Sequence, residues 1–178
     1  MKNIFQKAIL AVGLVFGLAG NANAMLIKQD LFSDTYNGST SAIGSITIDS
    51  VDGMEVGPGL SEVSDWVSFN IFGYDMSTAD VFNFFAEYET NNLYAGIQTL
   101  SFDLNDEFAD PWAYSGEIST DFGMGDLVIH DVSADPATFV GFLDDVYLST
   151  AEVPEPQSLA IFALALAGLA ARGRKARS

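Results

Sequence analysis

Hydrophobic positions follow two different patterns along this chain. Near each end lies an uncharged apolar run, Ala8–Ala19 and Ser158–Ala171, with no alternation. Between them apolar residues mostly alternate with polar ones, the period-two signature of half-buried strands. Ile46-Thr47-Ile48 and Val67–Ile71 alternate in this way. Val81–Tyr88 and Leu93–Leu104 are rich in aromatic and branched residues, and Thr90-Asn91-Asn92 between them reads as a tight turn, so this pair predicts a hairpin. Leu127–Val132 and Thr138–Leu148 give two more strands, and glycines such as Gly53, Gly57, Gly73, Gly116, Gly123 and Gly125 punctuate the rest. In Phe139–Ser149 both alternating faces are largely apolar, which predicts a strand central in its sheet. No segment between the two ends has a helical period. The expected fold over 25–152 is therefore all-β, an antiparallel β-sandwich of jelly-roll type, with a small barrel as the alternative.

The two apolar runs read as addresses. Lys2 and Lys7 precede the first, and Ala22-Asn23-Ala24 follows it with the small-x-small pattern that signal peptidase accepts. Residues 1–24 thus predict a signal peptide, cleaved after Ala24 to leave Met25 as the new N-terminus. The second run is preceded by Val153-Pro154-Glu155-Pro156 and followed by Arg172, Arg174, Lys175 and Arg177. Two prolines two residues apart hold the backbone extended, in a form that a processing enzyme can thread. Fourteen helical residues rise about 21 Å against about 30 Å of hydrocarbon, which suits a transient membrane stop better than a permanent anchor. The basic tail would stay on the cytoplasmic side.

In that order, triplet, apolar helix and basic end, residues 153–178 resemble the PEP-CTERM sorting signal of Gram-negative bacteria. The resemblance covers the tail alone. It implies an exported protein, held as a precursor in the inner membrane. Exosortase, an integral membrane transpeptidase, would recognise Val153, Pro154, Glu155 and Pro156 and deliver the protein to the cell surface or beyond. The central segment, closing on Phe142-Leu143-Asp144-Asp145-Val146-Tyr147-Leu148 shortly before the motif, also resembles exported bacterial jelly-roll domains of the lectin-like kind.

Charge narrows the choice of partner. Met25–Pro156 holds all 24 acids of the chain and a single base, Lys28, a formal charge of −23. Phosphate binding needs clustered Lys and Arg, so nucleic acid is excluded as a partner. There is no cysteine, hence no disulfide, thiolate metal site or Cys nucleophile.

Catalytic chemistry has little to draw on. His130 is the one histidine, and no Gly-x-Ser-x-Gly elbow accompanies it. Glu87 and Glu89 share a strand face and could serve as an acid pair for glycoside hydrolysis, although in so acidic a chain some pair always does. Asp103, Asn105, Asp106 and Asp110 cluster after the strand ending near Leu104; hard oxygen ligands on one loop suit Ca2+, though the spacing is not that of an EF-hand. Asp144-Asp145 is a second such candidate. Trp112 and Tyr114 follow Pro111 in a stretch that reads as a loop and could present a stacking platform for sugar, while the alternative is that these rings, with Trp66 and Tyr94, fill the core. Together these readings predict a non-enzymatic, exported surface or extracellular matrix protein that binds exopolysaccharide; a secreted glycoside hydrolase is the alternative.

Overall fold

The computed structural model describes residues 25–34, 39–105, 111–133 and 136–153. Ala22 and Ala24, Pro154, Glu155 and Pro156, the basic residues Arg172, Arg174, Lys175 and Arg177, and Asp106 and Asp110 lie outside the described residues. Contacts set off Leu26–Val153 as one compact unit.

Eleven strands make up the described fold: β1 (Leu26–Asp34), β2 (Thr40–Asp49), β3 (Met54–Gly57), β4 (Leu60–Val63), β5 (Ser68–Ile71), β6 (Tyr74–Asp75), β7 (Asp80–Glu89), β8 (Ile97–Asn105), β9 (Trp112–Ser119), β10 (Met124–Asp131) and β11 (Thr138–Leu148). Short 3-10 turns at Ser50–Asp52, Met76–Thr78 and Leu93–Ala95 join some of them. Every pairing is antiparallel, in the order β3-β4-β7-β8-β9-β10-β11-β1-β2-β5-β6. Among the described residues the edge strands β3 and β6 do not pair with each other, so the sheet forms an open half-barrel.

Side-chain contacts measure how strongly the sheet curls. Phe69 on β5 and Phe102 on β8 belong to strands six places apart, about 29 Å in a flat sheet at about 4.8 Å per strand. Their ring centroids are 5.0 Å apart, nearly perpendicular. Trp66 packs edge-on against both Phe69 and Phe84, tying β5 to β7 in the same way. The concave face holds the core, with Ile27, Leu31, Ile46, Ile48, Ile71, Leu100, Leu104, Ile118 and Leu127 all buried.

The architecture is thus all-β and antiparallel as expected, but the two sheets of a sandwich are one continuous sheet curled over itself. Alternation reports which face of a strand is buried. A curled sheet and a pair of stacked sheets bury their faces alike, so the pattern does not distinguish them. The hairpin expected around Thr90-Asn91-Asn92 is present as β7–β8, although Leu93–Ala95 forms a 3-10 turn and β8 starts only at Ile97. β11 is central, flanked by β10 and β1, but not regular. Its register against β10 slips between Ile129 and His130, and again between Gly125 and Leu127. Asp145, at φ 58°, sits in the second bulge, so Asp144 and Asp145 are both exposed and neither is a carboxylate buried among apolar neighbours.

One end of the sheet gathers both ends of the unit. Past β11 the chain keeps following β1: Ser149 N donates to Asp30 O, and Lys28 and Glu152 exchange backbone bonds of 3.0 and 2.8 Å. Ala151 and Val153 pack on the core. Trp112, Asp131 and Thr138 mark the opposite end. From Val140 to Glu152 the chain climbs twelve residues, roughly 35–40 Å at about 3.3 Å each.

Candidate functional site

At the end of the sheet opposite Val153 lies a concavity of about 240 Å³ lined by Phe72, Tyr74, Trp112, Tyr114, Ile129 and Val140. Its wall comes from β9, β10 and β11. Trp112, Tyr114, Gly116 and Ile118 share the concave face of β9, and Ile129 shares that of β10 with Leu127. The opposing lip is the β5–β6 hairpin, brought across by the curl of the sheet.

That lip is conformationally costly. Ile71 and Tyr74 pair directly, so Phe72-Gly73 is a two-residue turn with φ 52° and 88°, as in a type I′ hairpin. Glycine accepts such angles freely, whereas a bulky residue at positive φ is an outlier costing on the order of 1–3 kcal/mol. Phe72 N donates to Ile43 O at 2.6 Å and Gly73 N to Asn70 Oδ1 at 3.1 Å, and these bonds hold the turn. The strained backbone sets the Phe72 ring 6.1 Å from Tyr114, over the concavity. Phe72 and Tyr74 remain 40% and 43% exposed, while Tyr114 is buried and Trp112 half-buried. Tyr114 forms the floor and the other three rings the rim.

The wall is tied down where Trp112 begins. Val132 N donates to Pro111 O at 2.7 Å. Asp131, opposite Trp112, accepts from Ser133 Oγ at 2.6 Å and Ser133 N at 2.9 Å. Those two bonds, the hydroxyl's above all, hold the Asp131 carboxyl below its usual range.

Trp112 and Tyr114 therefore come together at one site, on a strand rather than on the loop that Pro111 implied. Phe72 and Tyr74 are absent from the sequence reading. Gly73 marks a break in the pattern of strands, but a phenylalanine at positive φ before it and a hairpin crossing to β9 have no local signature. Trp66 and Phe84 belong to the core, with ring centroids 4.7 Å apart, and Tyr94 is exposed away from the mouth. Glu87 and Glu89 project from the convex side of β7, outside this lining. His130 packs edge-on against Phe139 with centroids 6.0 Å apart.

Of the residues proposed for Ca2+, Asp103 is exposed in the middle of the sheet, between Asn83 and Ser115. Asn105 is buried where β8 ends, and its Oδ1 has no hydrogen-bond partner among the described residues. Among the described residues no group of three or more His, Asp or Glu is placed to hold a metal ion.

Comparison with known proteins places one segment. Residues 152–175 match the PEP-CTERM protein-sorting motif. No curated protein matches the chain. The motif makes this an exported protein sorted to the cell surface by exosortase. The match begins at Glu152, the residue bridged to Lys28, so the matched segment starts within the folded unit.

Proposed function

We propose that this protein is a non-enzymatic component of the cell surface or extracellular matrix, and that its aromatic mouth binds a neutral polysaccharide. The observation that carries this reading is the convergence of Trp112, Tyr114, Phe72 and Tyr74 on one open concavity, with Phe72 held there at the expense of backbone strain. The C–H bonds on the face of a pyranose are weakly positive and meet the negative face of an aromatic ring, so exposed flat rings suit sugar in water. None of the six lining residues is an acid, so the mouth offers a binding surface without the carboxylate pair that hydrolysis needs. Around it residues 25–152 carry 23 acids against one lysine, which repels polyanions and favours an uncharged chain. Glu152, where the matched motif begins, pairs with Lys28 at the other end of the sheet from the mouth.

The test uses the processed, exported protein carrying Trp66→Phe, which leaves Trp112 as the sole tryptophan. Titration with neutral fragments of the producing cell's exopolysaccharide should give a saturable change in Trp112 fluorescence. In calorimetry, Trp112→Ala should weaken binding about tenfold or more, equivalent to about 1.4 kcal/mol. Binding unaffected by Trp112→Ala, or no saturable binding by the parent protein, refutes the assignment.

A further inference from the structure

Phe72 lines a second concavity as well. On its other side lies a depression of about 490 Å³, bordered by Asp30, Ala42, Ile43, Gly44, Ser45, Asn70, Phe72 and Gly73. Where the mouth is apolar, this depression mixes polar side chains with backbone. Asp30, Ser45 and Asn70 lie side by side across β1, β2 and β5, because Asp30 pairs with Ser45 and Ser45 with Asn70. They face away from the core, since Ile46 and Ile71 beside them point inward.

Among the described residues the side chains of this row make one hydrogen bond, in which Asn70 Oδ1 accepts from Gly73 N. The Asp30 carboxylate and the Ser45 hydroxyl make no hydrogen bond among the described residues. Asn70 spends its Oδ1 on Gly73 N, and its amide protons meet no acceptor among the described residues. Gly44 borders the depression with its backbone, and a Cβ there would collide with the backbone carbonyl of Asn70. An acceptor of full charge, a hydroxyl and an amide donor thus stand beside the exposed Phe72 ring.

Size links the two concavities. At about 240 Å³ the mouth falls below the roughly 300–1,000 Å³ of ordinary small-molecule sites. A ligand that crosses Phe72 and also occupies the depression has ample room and meets both chemistries.

We infer that the depression is a second subsite for the same neutral polysaccharide. One sugar unit stacks in the aromatic mouth, the chain passes over Phe72, and the next units donate hydroxyl protons to Asp30 and accept from Asn70 Nδ2. The inference rests on the proposed function of the mouth. It adds that the ligand is a chain of several units and that Asp30 and Asn70 read its length. It also gives the strained turn its purpose: Phe72 is the ridge over which the chain bends.

The experiment measures binding of size-fractionated neutral fragments, one to six units long, from the producing cell's exopolysaccharide. Calorimetry is run on the processed protein and three variants. Asp30→Ala removes the acceptor. Asn70→Asp removes the donor while preserving an oxygen for Gly73 N, so the turn stays capped. Trp112→Ala tests the mouth. In the parent protein affinity should rise with length. Asp30→Ala and Asn70→Asp should each lower the affinity of the longest fragments by about threefold to tenfold, the range expected for one net hydrogen bond, and leave the shortest fragments unchanged. Trp112→Ala should weaken every length. If the length dependence survives both Asp30→Ala and Asn70→Asp, the second subsite is refuted and the mouth stands. If no fragment binds the parent protein, both fall together.

Discussion

Gln29 can be tested most sharply, because one buried amide joins three strands. It lies on the inner face of β1, only 3% exposed. Its Oε1 accepts from Ile97 N at 2.7 Å and its Nε2 donates to Ser149 O at 2.6 Å. β1 and β8 are four places apart in the sheet, about 19 Å if it were flat, so this amide clasps the half-barrel across its concave face. Gly96, at φ 81°, leaves room for the clasp; a Cβ there would stand 2.7 Å from Gln29 Oε1. Gln29→Met keeps the length and packing of the side chain and removes both bonds. Ile97 N is then buried without a partner, at a cost of about 1–3 kcal/mol. The half-buried Ser149 carbonyl can find water, and losing its bond adds about 0.5–1.5 kcal/mol. The expected loss is about 2–4 kcal/mol, out of the roughly 5–15 kcal/mol typical of a domain. Urea unfolding should show it as a lower midpoint at unchanged slope. Amide exchange should accelerate most at Ile97 and Glu152. A loss below about 1 kcal/mol with unchanged exchange at both sites would show that the clasp is incidental.

Four further outcomes follow from other parts of the fold. Gly125→Ala drives a methyl into the backbone of Glu117 and Ile118, whereas Gly116→Ala meets the Phe102 ring, which can move; urea midpoints should fall further for Gly125→Ala, by about 1–3 kcal/mol, and equal losses would contradict this. Burial above all raises the Tyr88 pKa, helped by Asp49 and Asp52, so the fold favours the neutral phenol that donates to Ser50 O at 2.7 Å. That stability is present in full below pH 10 and is lost as pH rises through the folded pKa; Tyr88→Phe should unfold at a lower urea concentration at pH 8 and show a flatter decline toward pH 11. With 23 acids against Lys28 in residues 25–152, the melting temperature should climb as sodium chloride is raised from low salt to about 0.15 M, where the Debye length is about 8 Å; a flat response would mean the acids are already compensated. Glu155→Ala should leave full-length precursor, without its signal peptide, in the inner membrane, as seen by fractionation and blotting; normal release would disprove the role given to Glu155.

How far the sequence could be read depends on the kind of information each feature needs. The sorting signal is a linear peptide, recognised in order along the chain, so Val153 to Pro156 and the segments after them were legible without any fold. Strand identity was legible where residues alternate, as around Ile46-Thr47-Ile48 and Ser68–Ile71, and where aromatic and branched residues run together, as in β7 and β8. It failed for β1, β3, β4, β6 and β9. Leu26–Asp34 carries Lys28, Gln29 and Asp30 in a row, and its buried Gln29 reads as a surface residue until the partner amide at Ile97 is known. β9 was obscured by Pro111 and Gly116, which look like turn signals although Gly116 is there to receive the Phe102 ring. The mouth shows the same limit in reverse. Trp112 and Tyr114 could be picked out as rings two residues apart, but a site is made by what faces them. Phe72 and Tyr74 come from strands on the far side of the curl, and no local pattern encodes which distant hairpin a sheet will bend to meet. The two chemistries of the proposed site lie on opposite faces of the sheet, as period two assigns them, and they share Phe72 because it sits in the β5–β6 turn, where the strands end and neither face is closed off.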